Sequence, residues 1–190
     1  MQFGCVVMAS GMSARFGGNK LLADFRGAPL IECALGAIPE GLRTVVVTRS
    51  EAVARIAEGL GFEAVVHQLP HRADTIRLGL ERMADVDGCL FLVGDQPLLR
   101  KQTIAAMLCE MEAYPDCILR ARSGDRWGNP VLFPKRCFSA LMSLAPGQTG
   151  GHVIRSGAVE AIPFEVAHEW ELWDIDTRED LQKLDLQSAK

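Results

Sequence analysis

Met8-Ala-Ser-Gly-Met-Ser-Ala-Arg-Phe-Gly-Gly-Asn-Lys20 follows the apolar run Phe3 to Val7, so it reads as the loop that leaves a first, buried strand. Small residues at Ala9, Ser10, Gly11 and Ser13 let the backbone approach a ligand closely. Successive free N–H groups in such a turn form a concavity that attracts anions. Arg15 and Lys20 add two full positive charges, which suits the loop to a triphosphate held by backbone N–H groups and by charge-assisted hydrogen bonds from these side chains. Two commoner phosphate motifs fail on spacing. Lys20 has no glycine six residues before it and is followed by Leu21 rather than Ser or Thr, which excludes the P-loop. The dinucleotide pattern G-x-G-x-x-G fails too, because its three glycine positions hold Gly11, Ser13 and Phe16. The plainer alternative is a glycine-rich strand-to-helix turn with a solvated arginine and lysine.

Downstream, Pro29 to Ile38 reads as a short helix and Thr44 to Val47 as a β-branched strand. Ser50 caps a helix whose Val53, Ile56, Ala57 and Leu60 recur at helical spacing, Gly61 stops it, and a short strand, Ala64 to Val66, follows. Alternating strands and helices with short connections predict one α/β domain over residues 1–190, three layers deep, with a mostly parallel sheet covered on both faces. The segment Arg72 to Leu80 begins a further helix, with Asp74 as its expected N-cap and Ile76, Leu80 and Met83 as its buried stripe. Its N-terminus would offer Thr75 and free N–H groups to a nucleotide base or ribose; a plain capped helix is the alternative.

Gly88 to Val93 is continuously apolar, reads as the central strand, and delivers Gly94-Asp-Gln-Pro97 at its carboxyl end, where open α/β sheets bind ligands. Magnesium takes one or two carboxylates together with phosphate oxygens and water, so Asp95 facing a triphosphate suffices chemically. Asp95 as a turn residue is the alternative. Helix 101–113 carries Ile104, Met107, Leu108 and Met111 as core packing. Residues 117–121 and 130–133 read as strands joined by the loop 122–129, from which Trp127 would stack on a flat ring, or else pack as a hairpin aromatic. Trp170 to Ile175 reads as a last strand, with Thr177 and Asp180 as a capping box for a C-terminal helix.

Four ordered segments, Met8 to Leu22, Gly94 to Pro97, Gly128-Asn-Pro-Val-Leu-Phe133 and Asp174 to Leu181, together resemble the signatures of the MobA-like nucleotidyltransferases and span nearly the whole chain. The likeness is to the branch that joins CTP to molybdopterin and releases pyrophosphate. Arg72 to Leu80 is also similar to a segment of methylerythritol-phosphate cytidylyltransferases, which favours cytosine over guanine. The resemblance implies a Rossmann-like fold and magnesium-dependent nucleotidyl transfer. In that reading Arg15, Lys20 and Asp95 are catalytic, Ala9, Ser10, Gly11, Ser13, Asp74 and Thr75 hold the nucleotide, and Asp174 joins Asp95 on the metal. Trp127 and Asn129 face a phosphorylated acceptor, molybdopterin by resemblance, with a molybdoenzyme as a possible protein partner. The chain departs from the family at Ala145 to His152, where Gln148 and His152 stand in place of an expected aspartate and arginine. This leaves a non-catalytic nucleotide- or molybdopterin-binding accessory protein as the rival reading.

Composition sets the outer bounds. No apolar run approaches the roughly 18 residues of a membrane span, and the first basic residue, Arg15, lies behind the apolar run rather than before it, so a cytoplasmic protein is expected. A net charge of −4 argues against a nucleic-acid partner and makes an anionic substrate depend on local positive charge. Six cysteines without a C-x-x-C pair read as reduced core thiols. His67 and His71 have metal-pair spacing, but Pro70 between them breaks the helix this would need, so a surface turn is expected.

Overall fold

The computed structural model describes residues 1–187. In chain order, β1 (Phe3–Ala9) leads through the glycine-rich loop to a two-strand ribbon, β2 (Asp24–Phe25) and β3 (Ala28–Pro29), and to α1 (Leu30–Gly36). Next come β4 (Arg43–Thr48), α2 (Glu51–Gly59), β5 (Glu63–Val66), α3 (Arg72–Glu81), β6 (Gly88–Val93) and α4 (Lys101–Ala113). The hairpin β7 (Ile118–Ser123) and β8 (Arg126–Pro134) precedes α5 (Phe138–Met142), α6 (Gly150–Arg155), β9 (Ala161–Glu165) and α7 (Arg178–Gln187).

Seven strands form one sheet in the order β5-β4-β1-β6-β8-β7-β9. The first four run parallel, β8 is antiparallel to both of its neighbours, and β9 is parallel to β7. β1 alternates Cys5, Val7 and Ala9 toward one face and Val6 toward the other, all buried, which is the signature of a strand covered on both sides. Leu30, Ile31, Val53, Ile104, Met107 and Met111 of α1, α2 and α4 pack on the first face. Ile76, Leu80, Leu141 and Val153 of α3, α5 and α6 pack on the second, and the three-layer α/β expectation holds. Gly79 sets how closely α3 approaches the sheet: a Cβ there would lie 2.4 Å from Val6 Cγ1.

From β1 the chain moves first to one side, through β4 and β5, and then crosses by α3 to β6 on the other side. The carboxyl ends of β1 and β6 therefore flank a topological switch point, and a crevice opens there.

Several local expectations are corrected. The segment 122–129 is not a loop: β7 and β8 continue to a tight turn at Gly124, with a register shift between Arg120 and Arg122. Trp170–Ile175 is not a strand, because Glu169–Leu172 forms a single 3-10 turn whose Leu172 plugs the core, while Glu171 accepts hydrogen bonds from Arg100 N (3.3 Å) and from the Thr103 hydroxyl at the start of α4. Leu60 leaves the apolar stripe of α2 and is 45 % exposed, since the helix has ended by then. Asp74 is the third residue of α3 rather than its cap; His71 is the cap, and its N–H donates to Asp74 Oδ2 at 3.0 Å. The cap at Ser50, whose Oγ accepts from Val53 N at 3.4 Å, and the box of Thr177 with Asp180, with bonds of 2.8 and 3.1 Å, are as expected. Among the described residues no helix is long and apolar enough to cross a membrane. The cysteines are free, and burial pushes the Cys5 and Cys137 thiols up to about 12 and about 11.

Candidate active site

The loop after β1 is shaped by its own side chains. Ser13 takes a left-handed conformation (φ 50°), its carbonyl accepts from Phe16 N at 2.9 Å, and its hydroxyl accepts from Lys20 N at 3.3 Å. Buried Phe16 anchors the loop, and Asn19 Oδ1 caps the 3-10 turn Lys20–Leu22 through Leu21 N. The ends of three parallel strands are sewn together beneath it. Ser10 Oγ donates to Val47 O (3.0 Å), Thr48 Oγ1 to Ala9 O (3.0 Å), and His67 N to Thr48 O (3.0 Å).

Lys20, whose side chain is 9 % exposed, reaches from this loop across the crevice. Its Nζ lies 2.6 Å from Asp95 Oδ2 at the end of β6 and 2.9 Å from Asp176 Oδ1. Arg15 donates to Asp176 Oδ2 at 2.7 Å. Burial works against the Lys20 charge, but the Asp95 and Asp176 carboxylates outweigh it and hold the ammonium above its ordinary pKa. Hydrogen bonding and charge from Lys20, helped by Arg15, hold the Asp176 carboxyl below its usual range. Ile175 N donates to Asp95 O (3.0 Å) and Ile175 is fully buried, so the extended segment 174–176 is pinned beside β6 with an aspartate on each side of a core residue.

Asp174 stands opposite in electrostatic character to Asp176. Partial loss of water, followed by the negative charges of Asp95 and Asp176, pushes its carboxyl up to about 6. Asp95 Oδ1 is buried and has no hydrogen-bond partner among the described residues. Among the described residues no set of three or more His, Cys, Asp or Glu converges at metal-binding range. A magnesium ion asks less than that, since one or two carboxylates with phosphate oxygens complete its shell. A buried Asp95 oxygen and the Asp174 carboxyl, raised by loss of water and then by its acidic neighbours, fit a hard cation.

A cavity of about 790 Å³ lies in the crevice. Ala9, Ser10, Gly11, Ser13, Arg15, Lys20, Thr75, Asp95, Asn129 and Asp174 all line it, so the structure brings together most of the residues singled out from sequence. Asp74 and Trp127 are not among the lining residues. Asp74 is committed to the α3 cap and to Arg77 at 2.9 Å, and the Trp127 ring packs under the guanidinium groups of Arg122 and Arg120 at 5.2 and 5.5 Å. Sequence reading missed Asp176, although its alternation with Asp174 around apolar Ile175 is the mark of two side chains on one face of an extended segment. It also missed the lining cations Arg49, Arg72, Arg120 and Arg155, which carry no motif. His152 starts α6, where its Nδ1 accepts from Thr149 N at 3.0 Å; Arg155, one turn on, is the residue of that helix that lines the cavity with a charge.

A parallel-sheet switch point with a cationic glycine-rich loop on one strand and carboxylates on the next defines an α/β nucleotidyltransferase. The MobA-like NTP transferase domain matches residues 5–161, and the chain belongs to that family. A probable molybdenum cofactor guanylyltransferase of Thermococcus sibiricus is 34% identical over 199 residues, covering 94% of this chain and 95% of its own. A protein of the same description from Bacillus licheniformis is 25% identical over 95% of both chains. The crystal structure of Rv0371c from Mycobacterium tuberculosis H37Rv superposes with a TM-score of 0.82 at 25% identity, covering 98% of this chain and 99% of that one.

Proposed function

We propose that this nucleotidyltransferase transfers CMP from CTP to a phosphorylated acceptor of the molybdopterin class and releases pyrophosphate. One observation supports the chemistry above the others: Lys20 joins Asp95 and Asp176 at the mouth of the phosphate loop, with Arg15 on the outer oxygen of Asp176. In such a reaction an acceptor phosphate oxygen attacks the α-phosphorus while the bond to pyrophosphate breaks, and its electron pair leaves with the pyrophosphate. Positioning and charge neutralisation carry most of the rate. Arg15 and Lys20 would turn from Asp176 toward the α-phosphate and the leaving group. Asp95 and Asp174 would hold magnesium, which when bound supplies charge neutralisation on the phosphates. The backbone of residues 9–13 would hold the ground-state phosphates, leaving the two side chains for charge that develops in the transition state.

The preference for CTP is supported by the nucleotide end of the cavity. Ser10 puts a side chain on this wall, and its hydroxyl is already engaged by Val47 O and by His67, 2.8 Å away. That wall cannot retreat without breaking both bonds, which suits a pyrimidine better than a purine. The relatives' names describe guanylyl transfer by those proteins, so GTP is the competing donor. The acceptor class follows the relatives' names, and Arg120, Arg155 and Asn129 at the other end of the cavity suit an anionic ligand. The test is pyrophosphate release with each of the four nucleotides, magnesium and molybdopterin. Release with CTP alone supports the whole reading, release with GTP at an equal or greater rate overturns the base assignment, and release with none overturns the activity.

A further inference from the structure

His67 is a buried titratable group near the cavity that the chemistry above leaves unused. It follows β5, is 8 % exposed, and sits under the nucleotide end of the site. Leu69 N donates to its Nδ1 at 3.1 Å, which fixes that nitrogen as an acceptor and puts the proton of the neutral ring on Nε2. Nε2 then donates to Ser10 Oγ, 2.8 Å away, and the Ser10 hydroxyl in turn donates to Val47 O at 3.0 Å. Thr75 Oγ1 lies 3.5 Å from the same Nε2, at the outer limit of hydrogen bonding. Ser10, in the loop after β1, and Thr75, in the first turn of α3, both line the cavity.

We infer that His67 is a positioning residue for nucleotide binding: as its neutral Nε2–H tautomer it holds the Ser10 hydroxyl, and with it the wall that the loop after β1 presents to the nucleoside, in place. This rests on the reading of the cavity as a nucleotide site. Protonation is incompatible with the arrangement, because Nδ1–H would confront the Leu69 N–H that now donates to it. The charged groups acting on the ring agree. Burial first, then Arg49 from the end of β4, hold the His67 pKa below its ordinary value, and Asp74 from α3 offsets them only in part. The grip is therefore complete near neutrality and fails as pH falls below the ordinary histidine range.

The experiment is CTP affinity by calorimetry with magnesium from pH 8 to pH 5, with kcat at saturating CTP, for the wild type, His67→Ala and His67→Gln. Glutamine keeps a donor near the Nε2 position and does not titrate. For a lost hydrogen bond of about 1 kcal/mol, His67→Ala is expected to weaken CTP roughly five- to tenfold. Its kcat should stay within about twofold, because the variant touches a ground-state grip. His67→Gln should recover most of the affinity and lose the acid limb of the wild-type profile. Combined with Ser10→Ala, His67→Ala should add no further loss, since the histidine acts through the serine. Wild-type affinity in His67→Ala, an unchanged acid limb in His67→Gln, or additive losses would each overturn the inference. If His67→Ala fails to fold, the acid limb of His67→Gln decides alone. A wild type that binds neither CTP nor GTP at pH 8 overturns the nucleotide reading itself, which is a different failure.

Discussion

Lys20 Nζ stands 2.6 Å from Asp95 Oδ2, so the phosphate loop of β1 and the carboxylate of β6 are joined by an ion pair before any ligand arrives. The pair closes the crevice between the two strands at the point where a transferred phosphoryl group would sit. A ligand must exchange these partners, and each half of the pair has a candidate successor: phosphate oxygens for Lys20 and a hard cation for Asp95.

Lys20→Ala should therefore show two effects. Turnover should fall on the order of 10²–10³-fold, as when one preorganised donor to developing charge is removed, while CTP affinity weakens modestly because backbone donors remain. Stability should also fall, by about 2 kcal/mol. That lies below the roughly 3–5 of a broken fully buried pair, because Asp95 and Asp176 keep contact with water. Steady-state kinetics at saturating CTP and urea unfolding read the two separately. Abolished binding with normal turnover would make Lys20 a tether.

Asp174→Asn should raise the melting temperature of the ligand-free protein. The folded state holds the Asp174 carboxyl at about 6 against an ordinary 3.8, so it takes up protons more readily than the unfolded chain between those values. Wild-type stability accordingly falls as pH rises through that window. Asparagine removes a charge that burial first, then Asp95 and Asp176, disfavour, so its advantage should be full above pH 6 and vanish below about pH 4. Melting curves across pH 3.5–8 check this. Magnesium-dependent CTP binding should drop in the same variant, and a stabilised protein that still binds would release Asp174 from the cation.

The parts of the site that were legible before the fold are those where local chemistry is explicit. Glycine and small residues around Arg15 and Lys20 mark the anion loop, and an apolar run ending in Asp95 marks a central strand. What escaped depends on where side chains travel. Asp176 looks like a helix-start acid until Ile175 is seen buried between it and Asp174. Arg155 lies on a short helix with no motif, and its relation to Arg120 is set by sheet order that no local pattern encodes. His67 was read as a turn residue because Pro70 and His71 follow it, yet the ends of β1, β4 and β5 converge on it. Trp127 gave the reverse error: an aromatic beside turn residues suggests a binding loop, and here the hairpin strands run through it and two arginines cover the ring.

Gly79→Ala should destabilise through packing. The new methyl would meet Val6 Cγ1 at 2.4 Å and Cγ2 at 2.7 Å, both on a central strand that cannot move aside. Overpacking of this kind costs about 1–3 kcal/mol, against which the better helix propensity of alanine returns up to about 1. Because α3 carries Thr75 and Arg72 at its N-terminal end, a helix displaced from the sheet should also weaken CTP binding. Val6→Ala in the same protein should restore both urea midpoint and affinity. A midpoint equal to wild type in Gly79→Ala alone would show that the contact is not the constraint.

Arg155→Ala separates the two ends of the cavity. Arg155 and Arg120 both line it, and loss of water, then the Arg155 charge, holds the Arg120 guanidinium below its ordinary pKa. Two cations that raise each other's energy are relieved by an anion between them, which makes this end suited to the acceptor's phosphate. Removing Arg155 should raise the acceptor KM about tenfold, the loss of one charge-assisted hydrogen bond, and leave CTP affinity unchanged. Ligand-free stability should hold or rise slightly, since Arg155 is exposed and its departure ends the repulsion on Arg120. Arg120→Ala should instead destabilise, because that side chain also donates to Gly128 O at 3.3 Å and covers Trp127. Weakened CTP binding with an unchanged acceptor KM in Arg155→Ala would assign the arginine to the nucleotide, and the acceptor would then have to lie elsewhere.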